Sequence, residues 1–86
     1  MVTDDVIAAA VCRILSTAKT RYYVVTARAV MRELGQEIRH GRLRAVLGRY
    51  GFKYVRVGTP DAAKYVVDVE SARVICRKME KKKSLF

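Results

Sequence analysis

Acid is missing where this chain is most basic. No aspartate or glutamate occurs from Ile38 through Pro60. Between Arg13 and Arg56, eleven lysines and arginines face only Glu33 and Glu37, so this stretch carries +9 of the chain's net +10. Charge so unevenly placed points to a polyanionic partner, of which nucleic acid is the commonest. Histidine is reduced to one residue and cysteine to two, Cys12 and Cys76, in no CxxC spacing. That excludes a four-ligand zinc site. The cysteines are either two small, buried or half-buried thiols or a disulfide of the kind heat-adapted chains keep. Asparagine is absent, glutamine occurs once and most bases are arginine, a bias in the same direction.

Glycine and proline are few while 51% of residues are hydrophobic, so the chain is globular and not disordered. No uninterrupted apolar run approaches the ~18 residues of a membrane span, and the N-terminus lacks a charged segment followed by an apolar one. The expectation is a soluble, cytoplasmic protein of one domain over residues 1–86. There is no Ser/His/Asp set, no clustered carboxylate pair and no glycine-rich phosphate loop. The reading is therefore a binding protein and not an enzyme, with no cofactor, no metal and no evident small-molecule pocket.

Residues 4–18 read as an amphipathic helix. Thr3 or Asp4 can cap it, Asp4 and Asp5 suit its positive end, and Ile7, Val11, Ile14, Leu15 and Ala18 form one stripe. Tyr22–Val25 is β-branched and aromatic, a brief strand able to pair with a sheet edge. Thr26 can cap a second helix that runs to Gly35, with Ala27, Val30, Met31 and Leu34 inward and Arg28 and Arg32 outward. A tight turn through Ile38 leads to a third helix, 39–50, stopped at Gly51. From there the period becomes two, in 53–57 and 64–69, separated by a turn containing Gly58, Pro60 and Asp61. A last helix, 70–83, offers a narrow face of Ala72, Ile75, Cys76 and Met79 and ends in Lys81, Lys82 and Lys83.

Thr26 through Leu34-Gly35, then Leu43, Val46-Leu47 and Gly51-Phe52, then the hairpin, give the order helix, strand, helix, helix, strand, wing, strand. In this the chain resembles the winged helix-turn-helix family, over residues 4–69, and looks most like its small archaeal members with a helix appended. The resemblance implies an α+β fold with three helices, a small antiparallel hairpin wing at 52–69 and a helix-turn-helix at 26–50. It implies double-stranded DNA binding, with the N-terminal part of the third helix at base edges, in a cytoplasmic, nucleoid-associated regulator of transcription. Comparable regulators pair through appended helices, so the last helix either completes the core or makes a homodimer.

On a wheel of about 100° per residue, Leu43, Val46, Leu47 and Tyr50 fall on the buried side of the third helix. Gly41, Ala45 and Gly48 fall opposite, flanked by Arg44 on one hand and by Arg42 and Arg49 on the other. Each interior glycine costs roughly 1 kcal/mol against alanine. A ridge bare of side chains with basic walls can sink into a major groove about 12 Å wide and reach guanines or phosphates. The same ridge could instead pack against another helix. His40 stands near the base edges or is a turn residue without a role, and Arg39 meets a phosphate or caps the turn. Arg28 and Arg32 would lie along the backbone. Lys53, Arg56 and Lys64 flank a wing whose tip lacks arginine, which speaks against base reading by the wing. The lysine run is a solvated tail or one more backbone contact. Two rival functions remain. An RNA-binding protein of the ribosome or of RNA processing suits the size and charge, but the aromatics fall at strand positions expected to be buried, without a stacking platform. A winged-helix interaction module of a transcription or replication assembly would make the basic face incidental.

Overall fold

The computed structural model describes residues 2–39, 41–59 and 63–84, with side chains through residue 79. Its elements are α1 (Asp4–Ser16), β1 (Tyr22–Thr26), α2 (Ala27–Leu34), α3 (Arg42–Arg49), β2 (Tyr54–Val57), β3 (Lys64–Asp68) and α4 (Val69–Ser84). Four helices and a three-stranded antiparallel sheet make a small α+β domain. Expectations concerning His40, the turn residues Pro60 and Asp61, and the side chains of Lys81, Lys82 and Lys83 lie outside the described residues.

Local chemistry sets most of the boundaries. The Thr3 hydroxyl accepts from the Val6 amide at 3.4 Å and starts α1, with Asp4 and Asp5 at the positive end of its dipole. The helix stops at Ser16, two residues short of the expected 18. There the Ser16 hydroxyl donates to the Arg13 carbonyl at 2.6 Å and the Thr17 hydroxyl to Ile14 at 3.0 Å. These hydroxyls take the last carbonyls in place of onward helix amides. Ala18 still reaches the core through a turn in which its amide donates to Leu15. At the other end of the chain, Asp68 accepts from the amides of Glu70 and Ser71 at 3.1 and 3.3 Å. It caps α4 directly out of β3, with no loop between them.

In the sheet the order is β1-β3-β2. β1 pairs with β3 along its whole length, Tyr22 opposite Asp68 and Thr26 opposite Lys64. β2 flanks the other side, Tyr54 opposite Val67 and Val57 opposite Lys64. Alternation along β3 turns Tyr65 and Val67 inward. The opposite face carries Tyr22, Val24, Val55 and Val57, all exposed. The inward face meets Ile7, Val11, Val30, Leu43, Val46 and Leu47 of the helices in one core. Each of these buried side chains contributes about 1.5–3 kcal/mol of transfer free energy.

α4 packs along α1 through Val69 and Ala72, with Ile75, Cys76 and Met79 half-buried against the core. Here the cysteines prove to be a disulfide: Cys12 and Cys76 are joined, with Cα atoms 5.8 Å apart and a separation of 64 positions in sequence. The apolar face of α4 is therefore only partly covered within the chain, Ala72 being buried and Ile75, Cys76 and Met79 half-buried. A half-open cavity of about 550 Å³ lies between α1 and α4, although no small-molecule pocket is evident in the sequence. Among the described residues no helix is long and apolar enough to cross a membrane.

Candidate nucleic-acid interface

α2 is only eight residues long and is anchored by Val30, fully buried, and by Thr26, whose side chain accepts from the Ala29 amide at 3.1 Å. Val30 being inward, Arg28 and Arg32, four apart, are both exposed on the other side. Gly35 closes the helix with its amide on the Met31 carbonyl at 2.8 Å. The chain then passes Ile38, half-buried, and the exposed Arg39 into α3.

α3 buries Leu43, Val46 and Leu47 and exposes Arg44, Ala45, Gly48 and Arg49. Its end is a two-bond closure in which Phe52 donates to Leu47 at 3.0 Å and Gly51 to Gly48 at 3.2 Å. Gly51 sits there at φ +80°, a left-handed conformation that glycine alone takes freely. A Cβ built at Gly48 would meet nothing within 4 Å. Close packing inside the chain therefore does not require this glycine.

Gly41 differs from its expected place. The helix begins at Arg42 and not at Arg39, and Gly41 precedes it at φ +85°. It is a turn residue, and the third helix is four residues shorter than the expected 39–50. A 3.6-residue period marks which side chains lie inward. It does not mark where the backbone reverses, and the positive φ at Gly41 sets the boundary. Only Ala45 and Gly48 keep the ridge bare, beside Arg44.

The second correction concerns the arginine wall. Arg42 is half-buried and turned to the start of α1, donating from Nε and Nη2 to Asp4 Oδ1 at 3.1 and 2.9 Å and from Nη2 to the Val2 carbonyl at 2.9 Å. Arg49 donates from Nη1 to Asp4 Oδ2 at 2.7 Å, and the Tyr50 hydroxyl donates to Asp5. Asp4, expected to cap α1 or favour its dipole, and Asp5, expected to favour the dipole, thus dock α3 onto α1. The Arg42 hydrogen bonds hold the Asp4 carboxyl below its ordinary 3.8, outweighing partial desolvation, and those from Arg49 add to them. Tyr50 is pushed above its ordinary 10.0, first by its bond to Asp5 and then by desolvation. Arg42 and Arg49, seven residues apart, share one side of the helix, and that shared side was the available signal for a common partner. The side chain of Arg49 stays 72% exposed in spite of its ion pair.

Arg28, Arg32, Arg39 and Arg44 remain exposed, and none makes an ion pair with a described acid. In the hairpin, the exposed Arg56 lies opposite Tyr65 and the exposed Lys64 opposite Val57, near the turn. Lys53 sits at the far end, its carbonyl accepting from Asp68 at 2.9 Å. The three cations expected around the tip are therefore two near it and one at the base. The aromatics also depart from expectation. Phe52 and Tyr65 are buried, but Tyr22 is 56% exposed, with the Arg21 guanidinium 5.5 Å from its ring centre. No family model matches the chain, and no curated protein or solved structure matches it either.

Proposed function

We propose that this chain is a winged helix-turn-helix protein that binds double-stranded DNA, in the role of a transcription regulator. α2 and α3 form the helix-turn-helix, the β2–β3 hairpin is the wing, and α3 enters the major groove along Arg44, Ala45 and Gly48. The observation that carries the reading is a set of four exposed arginines, Arg28, Arg32, Arg39 and Arg44, without acid partners among the described residues, beside a ridge that is nearly free of side chains. Arg28 and Arg32 lie on the helix that crosses the backbone in such a motif, and Arg44 is placed for a guanine edge or phosphate. Arg49 joins them by exchanging an exposed ion pair, a weak interaction in water, for a phosphate.

A salt series of binding to duplex DNA, single-stranded DNA and structured RNA tests this. The expected result is a preference for duplex with a log–log slope implying several phosphate contacts, and a slope reduced by about one on Arg28→Ala or Arg32→Ala. Arg44→Ala should cost about 1–3 kcal/mol with relaxed sequence preference. Absence of binding at physiological salt would overturn the reading and point to a protein partner. RNA binding is the second reading, and a specific observation favours it: Tyr22 with Arg21 beside it supplies one exposed stacking surface on the sheet. Preference for RNA, abolished by Tyr22→Ala and indifferent to Arg44→Ala, would replace the first reading with the second.

A further inference from the structure

The cavity between α1 and α4 lies outside the basic face of α2 and α3. Its floor is apolar: Leu15, Val69 and Ala72 are buried, Met79 is half-buried, and the Cys12–Cys76 disulfide forms part of the lining. The rim is cationic. Arg73 and Arg77, one turn apart on α4, stand on one side of the cavity, and Arg13 of α1 on the other. Among the described residues no acid lines the cavity, and neither Arg73 nor Arg77 pairs with a described acid. Arg13 is held in place from outside, its Nε donating to Glu33 Oε1 of α2 at 2.8 Å. Its terminal nitrogens are left for another acceptor.

From this geometry we propose a binding site for a small amphipathic carboxylate, its apolar body on the α1–α4 floor and its carboxylate on the guanidiniums. A volume of about 550 Å³ lies within the ~300–1,000 Å³ of small-ligand sites, which combine an apolar lining with a few placed polar groups. The chemistry selects the class. An apolar floor offers nothing to a sugar or a bare phosphate, whose hydroxyls and oxygens would lose water without replacement. A cation meets three like charges. Planar guanidiniums match a carboxylate with paired N–H donors. The inference does not depend on nucleic-acid binding, and it is tested without any.

The experiment titrates octanoate, 1-octanol and octyltrimethylammonium into the disulfide-bonded protein and follows amide chemical shifts. Octanoate should bind saturably in the sub-millimolar range, shifting Ala9, Cys12, Ala72 and Cys76 together. 1-Octanol should bind more weakly at the same amides, and the cation not at all. The double variant Arg73→Ala/Arg77→Ala, altered only at exposed positions, should weaken octanoate about tenfold or more while leaving 1-octanol unchanged. Arg56→Ala, in the hairpin, should change neither. Ala9→Phe, which fills the cavity, should abolish both. The inference is overturned by the absence of saturable shifts at these amides, by equal affinity for the octyl cation, or by an arginine double variant that binds octanoate as the parent does.

Discussion

A glycine inside an exposed helix that touches nothing is a cost without a structural return, and Gly48 is in that position. Alanine at 48 should raise stability by about 0.5–1 kcal/mol, which for a domain of this size moves the thermal midpoint up by roughly 2–8 °C. Leucine at 48 should fold equally well but lose duplex affinity, because its side chain stands on the ridge that would enter the groove. A folded Gly48→Leu protein with undiminished binding would show that the bare ridge is not the contact. Asp4 supports a second test at this scale. Its folded value is depressed, so its contribution is complete above the ordinary 3.8 and is lost as pH falls through the lower folded value. Stability followed by urea midpoint should therefore drop below about pH 4, and Asp4→Asn should flatten that drop while lowering stability at neutral pH. An unchanged acid limb in Asp4→Asn would mean that other carboxyls carry the acid sensitivity.

At the scale of elements, what was legible in the sequence followed from chemistry close in the chain. Thr26, Gly35 and Gly51 act on amides and carbonyls within five residues of themselves, and each marks a boundary that the structure keeps. The inward sides of α1, α2 and α3 could be read because periodicity reports burial. What could not be read depends on which element lies beside which. Arg42 and Arg49 have the same sequence signature whether they face phosphate or Asp4, and only the crossing of α1 over α3 decides it. The outward face of Tyr22 likewise depends on the register of β1 against β3. The cysteines are a third instance, since two thiols on separate helices become a crosslink only when those helices touch. That crosslink gives α4 its test. Closing a loop of this length is worth about 4 kcal/mol in the chain-entropy account, so the double variant Cys12→Ser/Cys76→Ser should lose on the order of 2–4 kcal/mol in denaturant titration. A loss near zero would mean that packing of Val69 and Ala72 alone holds α4 in place.

For the molecule as a whole, positive charge is spread over the face of α2 and α3, the hairpin and α4. Four of the described acids lie at junctions: Asp4 and Asp5 where α1 meets α3, Glu33 where α2 meets α1, Asp68 where β3 becomes α4. Anion binding at the basic face would therefore relieve repulsion without breaking most of these contacts, Arg49 excepted. The disulfide has a further consequence when the molecule is seen as a thread under load. Its two sulfurs lie near opposite ends of the chain, so a force applied to the termini passes from α1 to α4 through the crosslink and bypasses the sheet, α2 and α3 altogether. Stretched between optical traps, the oxidised protein should lengthen only by the residues outside the Cys12–Cys76 crosslink. Adding a reductant should release a further contour length of about 220 Å, the separation of 64 positions between the two cysteines at roughly 3.3–3.6 Å each. The part proposed to meet nucleic acid would thus stay folded under a pull that unravels both ends.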